Sequence, residues 1–283
     1  MTSTLESKKL FLEKVLTSCS AYLLVSHGSR NQRAQLALWQ LTQLVRWQLK
    51  TNVILTQGNY LEQQLPNLPR EKTVATVNQE QCPLVSSACL ELTTLPLHEQ
   101  ITQFARGANR AGCQQIEILP LFLLSGVHVR EDIPAEVAKA QKILGTTINL
   151  QLCSYLGSRA GMLKLLSEQF AQMPSDGRIL LTHGSRRQGS NQLSEVLATR
   201  LKAIPAYWSV FPSLAEQVET LLRSGKHKIA ILPYFLFSGK ITEAIATQVQ
   251  QLQQTFSTVE LILGQPLGPT KELAKLILEE IAR

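Results

Sequence analysis

Ile118-Leu-Pro-Leu-Phe-Leu-Leu-Ser-Gly126 returns as Ile231-Leu-Pro-Tyr-Phe-Leu-Phe-Ser-Gly239. Each copy is a short, continuously apolar run closed by a turn signal, the pattern of a strand buried on both faces of a parallel sheet. A second motif repeats with it: His27-Gly-Ser-Arg30 returns as His183-Gly-Ser-Arg186. The chain is therefore a tandem duplication. Its halves can be compared for what one keeps and the other lacks. The first carries His128 two residues beyond its repeated Ser-Gly, where the second has Ile241. The first also has Glu91 at the end of an apolar run, where the second offers Tyr207 and Trp208.

Working outward from these repeats, short β-rich runs alternate with longer amphipathic segments in both halves, the signature of an α/β protein. In the first half, strands are expected over 21–26, 84–89, 116–123 and 149–156. Helices are expected over 31–49, 96–110, 132–144 and 158–172. In the second, strands are expected over 179–182, 206–210, 229–237 and 260–263, with helices over 212–223 and 270–282. The turn-rich Met173-Pro-Ser-Asp-Gly177 marks the boundary. This predicts two similar domains from internal duplication, 1–175 and 176–283, each a parallel sheet flanked by helices and facing the other across a cleft. His27 and Glu91 lie 64 positions apart, against 24 for His183 and Tyr207. The first half thus holds an insertion of roughly 40 residues within about 50–83, with the composition of a surface excursion.

At 283 residues with 44% hydrophobic and 17% charged content, each half can bury its own core. The apolar runs are too short to span a bilayer. Met1 to Ser20 has no signal-peptide layout, since Glu6 and Glu13 interrupt it. A helix over 6–17 and a cytoplasmic location are expected. The five cysteines form no Cys-x-x-Cys pair, which argues against zinc-ribbon and iron–sulfur sites and for reduced, structural thiols. A net charge of +7 suits an acidic partner. Its scattered Lys and Arg point to a small polyanion in a cleft, with no nucleic acid and no membrane. A monomer or weak homodimer is expected. Dinucleotide, P-loop and nucleophile-elbow motifs are absent.

Ligands of open parallel sheets bind beyond the carboxyl ends of the strands. His27, Glu91 and His128 all follow predicted strands of the first half and should emerge on one rim. Two imidazoles and a carboxylate make an open site for Fe²⁺, Co²⁺, Ni²⁺ or Zn²⁺. Without a thiolate, loose binding is favoured over a closed structural site. A competing reading of His-Gly-Ser is structural, with Ser29 capping the next helix. His98 and His227, on a helix and in a turn, receive no role.

At these residues the chain resembles the class II chelatases of the sirohydrochlorin ferrochelatase and cobaltochelatase family, in their long two-lobed form. The matching pieces are Leu24-Val-Ser-His-Gly-Ser-Arg30, Ala88-Cys-Leu-Glu-Leu92 with Pro96, Leu119-Pro-Leu-Phe-Leu123, Gly126-Val-His128 and Asp132-Ile-Pro134. The resemblance implies a lyase that inserts a divalent metal into sirohydrochlorin with loss of two protons. It carries the metal-binding and catalytic roles onto His27, Glu91 and His128. It implies no tightly bound cofactor, the metal being a substrate. Imidazole, with an ordinary pKa of about 6.5, suits both metal holding and proton acceptance. Arg30, Arg130, Arg186 and Lys240 are the expected contacts to the carboxylate-rich tetrapyrrole rim. The second lobe is expected to have lost metal binding. A His/Glu/His set serves either metal; the lack of a histidine-rich tract or C-terminal cysteine motif favours Fe²⁺ and sirohaem synthesis. Cobalt insertion for cobalamin synthesis and a non-catalytic metal or tetrapyrrole carrier are the alternatives.

Overall fold

The computed structural model describes residues 21–64 and 84–281. The expected helix over 6–17, Cys19, Cys82 and the 65–83 part of the insertion lie outside them. Strand β1 (Ala21–Ser26) pairs in parallel with β2 (Leu84–Cys89) and β3 (Gln115–Pro120), and β3 pairs with β4 (Asn149–Leu152). The second sheet contains β5 (Gly177–Thr182), β6 (Ile204–Tyr207), β7 (Lys228–Pro233) and β8 (Glu260–Leu263). The orders β2-β1-β3-β4 and β6-β5-β7-β8 are the same arrangement twice. Eight helices accompany them among the described residues: α1 (Gln32–Gln64), α2 (Leu97–Arg110), α3 (Ile133–Leu144), α4 (Gly161–Ala171), α5 (Gln192–Arg200), α6 (Leu214–Arg223), α7 (Lys240–Thr255) and α8 (Lys271–Ile281). None is long and apolar enough to cross a membrane.

Three helices differ from the sequence reading, one of them α7 (Lys240–Thr255), where no helix was expected. Helix α1 does not stop near 49 but continues to Gln64, the last described residue before 84. The short α5 was not anticipated, although Leu193, Leu197 and Leu201 recur at helical spacing. Cys89 and Cys153 are free thiols, but Cys113 is disulfide-bonded, contrary to the expectation of uniformly reduced cysteines.

Alternation along the strands divides the molecule into three apolar layers. Ala21, Leu23 and Val25 of β1 face outward onto Ile101 of α2 and Val137 of α3. Ile179 and Leu181 of β5 face outward onto Val218 of α6 and Ile245 of α7. The intervening Tyr22, Leu24 and Leu180 point inward to one core shared by both sheets, with Leu41, Val45 and Leu49 of α1 and Ala198 of α5.

The halves also exchange helices. Helix α4 follows the first sheet in sequence but packs on β7, while α8 follows the second sheet but packs on α1. Phe170 of α4 is completely buried, and the Arg178 guanidinium lies 5.3 Å from its ring centroid. Burying such a ring contributes about 2–3 kcal/mol. At the carboxyl ends of the strands, Arg33 pairs with Glu243 at 2.6 Å and the Tyr234 hydroxyl reaches the Leu123 carbonyl at 3.5 Å. These contacts bring the strand-end loops of both sheets to one mouth.

Candidate metal centre

The parallel ladder does not stop at Ser26 and Cys89. The Leu90 N–H donates to the Ser26 carbonyl and the Glu91 N–H to the His27 carbonyl, each at 2.9 Å. This continuation carries the His27 and Glu91 side chains to neighbouring places on the rim. The chain turns away immediately after His27 through Gly28, whose φ is +98°. A β-carbon there would collide with the Glu91 carbonyl, so the close approach requires glycine.

The backbone on either side of Glu91 is tethered at the sheet edge. The Gln100 side chain accepts from the Cys89 N–H at 3.0 Å and donates to the Cys89 and Leu95 carbonyls at 2.8 and 2.9 Å. Leu92, with φ of +60°, occupies the left-handed region beside Glu91, where a branched side chain is disfavoured.

His128 arrives from the loop after β3. It opens a short π-helical turn, His128–Asp132, that leads directly into α3. Its Nδ1–H donates to Asp132 Oδ2 at 2.7 Å, which leaves Nε2 as its available donor atom. The His27 and His128 rings meet edge to face with centroids 4.9 Å apart. Phe122 lies beside both, at 6.4 and 6.1 Å, and forms an apolar wall. His27 Nε2 and Glu91 Oε2 are 3.9 Å apart.

The structure thus brings His27, Glu91 and His128 together, with one donor atom from each inside a 4.8 Å set. The His27 and Glu91 side chains are half exposed and His128 is more sheltered. Such a set can strip part of a cation's hydration and still leave coordination positions open. Sequence reasoning missed Asp132 and Phe122 as parts of this arrangement. The i, i+4 spacing of His128 and Asp132 was the available signal for the former.

The other four predicted contacts are exposed and spread around the mouth. Arg30 follows the His27 turn. Arg130 lies two residues beyond His128, and its Nε donates to Ser125 Oγ at 2.8 Å. Arg186 sits in the loop after β5, and Lys240 begins α7. Among the described residues none of the four has a carboxylate within ion-pairing distance.

His98, given no role, forms a separate cluster. Its ring and backbone N–H groups both donate to Glu136, which Lys139 also contacts. Burial opposes ionisation of Glu136, but these bonds from Lys139 and His98 outweigh it and hold the carboxyl at about 2.

The second copy preserves the frame and His183 but lacks counterparts of Glu91 and His128. Gly184 has φ of +77°, and the Trp208 and Ser209 N–H groups donate to the Thr182 and His183 carbonyls. Position for position, Ser209 therefore stands where Glu91 stands. Assigning that place to Tyr207 or Trp208 was wrong, because the ladder pairs Tyr207 with Thr182 inside the sheet. Ser209 Oγ donates to the His183 carbonyl at 2.8 Å, so this rim is closed on itself.

The sequence model of the CbiX family matches residues 68–173 and again 177–283. The first match contains Glu91 and His128 but begins after His27. The chloroplastic sirohydrochlorin ferrochelatase of Arabidopsis thaliana is 28% identical over 116 residues, 38% of this chain and 52% of that protein. The sirohydrochlorin cobaltochelatase of Priestia megaterium is 23% identical over 184 residues, 59% of this chain and 60% of that protein. The chain therefore spans about half to three-fifths of these relatives. Among solved structures, SirB from Bacillus subtilis with Fe³⁺ aligns over 93% of this chain and 94% of its own, with 20% identity and a TM-score of 0.67. That likeness is one of fold.

Proposed function

Because the chain belongs to the CbiX family, we propose that it is a sirohydrochlorin chelatase, inserting Fe²⁺ in preference to Co²⁺ for sirohaem synthesis. The observation that carries this reading is the convergence of His27, Glu91 and His128 within 4.8 Å at the open mouth of the first lobe. Two neutral imidazoles and one carboxylate bind a mid-sized divalent cation without the permanence of thiolates. The macrocycle lies over this mouth, its carboxylate arms reaching Arg30, Arg130, Arg186 and Lys240.

Insertion moves the cation from the protein donors to the pyrrole nitrogens and expels two pyrrole protons. Glu91, half exposed beside His27, accepts protons on the macrocycle side and passes them to solvent. Asp132 holds the His128 ring in place throughout. Relatives named for iron and for cobalt both occur, and solved SirB structures include one with Fe³⁺ and one in complex with cobalt.

The test is absorbance-monitored metal insertion at protein concentrations far below the pigment, anaerobically, with Fe²⁺ and Co²⁺ in separate runs. Many turnovers per protein, faster with Fe²⁺, are expected. Faster turnover with Co²⁺ would favour cobalt insertion instead. Pigment binding without acceleration by either metal would contradict catalysis and favour a carrier.

A further inference from the structure

The second lobe has lost donors, but it has also gained something. After His27-Gly-Ser-Arg30 the chain enters Asn31-Gln32 at once, whereas His183-Gly-Ser-Arg186 is followed by Arg187-Gln-Gly-Ser190 before Asn191-Gln192. Four residues are inserted at the same point of the repeated turn. The loop is pinned at its base rather than trailing free. Asn191 Oδ1 accepts from the Ser185 N–H at 2.9 Å, and Asn191 Nδ2 donates to the Ser185 carbonyl at 3.0 Å. The Arg187 N–H donates to Ser185 Oγ at 3.1 Å.

These bonds shape an open hollow of about 540 Å³ whose lining includes Arg186, Arg187, Asn191 and Gln192. Both guanidinium groups are exposed, and neither meets a carboxylate among the described residues. Glu195, also in the lining, is approached by the Tyr207 hydroxyl at 3.4 Å. In the first lobe the corresponding helix start carries Arg33, already engaged by Glu243. Helix α5 contributes Leu197 and Ala198 to the core between the sheets, so the loop entering it lies at the carboxyl end of β5 on the side of its sheet that faces the first lobe.

We propose that this loop is a carboxylate-binding subsite in which Arg186 and Arg187 grip one acidic arm of the tetrapyrrole. The proposal rests on the chelatase reading and extends it: the first lobe binds the metal, and the second orients the macrocycle by its periphery. Two adjacent planar guanidinium groups on a braced loop supply bidentate, charge-assisted donors, which ammonium groups reproduce poorly.

The test compares wild-type protein with the Arg186→Ala/Arg187→Ala variant and with a variant lacking 187–190, which restores the first lobe's turn length. Binding of metal-free sirohydrochlorin and of its uncharged methyl ester is titrated by absorbance, and Co²⁺ binding by its visible absorption. Wild type should prefer the acid to the ester. Both variants should bind the acid about tenfold more weakly, with ester and Co²⁺ affinities unchanged. Wild-type binding of the acid together with an unchanged Arg186→Ala/Arg187→Ala variant would overturn the subsite alone. Wild type that binds no sirohydrochlorin would overturn the functional reading itself, and this proposal with it.

Discussion

The His128 ring is held by a neighbour outside the three-donor group. Asp132 receives its Nδ1–H at 2.7 Å and so fixes both tautomer and ring direction. Replacing Asp132 with Asn should lower Co²⁺ affinity about 10- to 100-fold, measured by titrating the visible absorption, while leaving the thermal unfolding midpoint nearly unchanged. A large drop in that midpoint would make Asp132 a structural residue instead. The three donors were legible from sequence because each follows a strand, and strand ends of one parallel sheet share a rim. Asp132 was missed although it lies four residues after His128, because the pair meets only once this loop winds into a π-helical turn. Ser209 was missed for another reason: an apolar run gives no register, and only the ladder bonds to Thr182 and His183 distinguish it from Trp208.

Helices α2 and α3 are joined by a polar clasp in which Glu136 binds the His98 ring, the His98 backbone and Lys139. Its carboxyl is only 15% exposed and is held at about 2, below the ordinary carboxylate range. A depressed folded value contributes stability that is complete above the unfolded value and is lost as pH falls toward the folded one. The clasp should therefore contribute stability near neutrality that disappears between roughly pH 4.5 and 2. Urea unfolding at stepped pH should show this slope in wild type and a shallower one in Glu136→Gln; equal slopes would refute the assignment. At this scale the strands were read well, because continuous apolar runs mark them. Helix ends were read poorly: α1 runs on through Thr51, Asn52, Gly58 and Asn59, residues of low helix propensity that read as a break from sequence.

The whole molecule is more than two lobes side by side, because each sheet is covered in part by a helix from the other half. The duplication was visible in the repeated motifs, but the exchange of α4 and α8 was not, since it changes neither composition nor periodicity. One consequence is cooperative unfolding. Phe170→Ala, in a helix that packs against the second sheet, should cost about 3–5 kcal/mol and lower the stability of both halves together. Loss of the Co²⁺ spectrum from the first lobe and of far-ultraviolet circular dichroism should then follow one transition; separated transitions would mean that the halves unfold independently.

The division of labour between the halves is tested most directly by initial rates of metal insertion into sirohydrochlorin for wild type, His128→Ala and His183→Ala. His128 has no counterpart in the second copy, and His183 faces a serine rather than a carboxylate. The account predicts that His128→Ala abolishes insertion while the protein remains folded, and that His183→Ala retains most of the rate. Full activity in His128→Ala, or equal losses in the two variants, would contradict it.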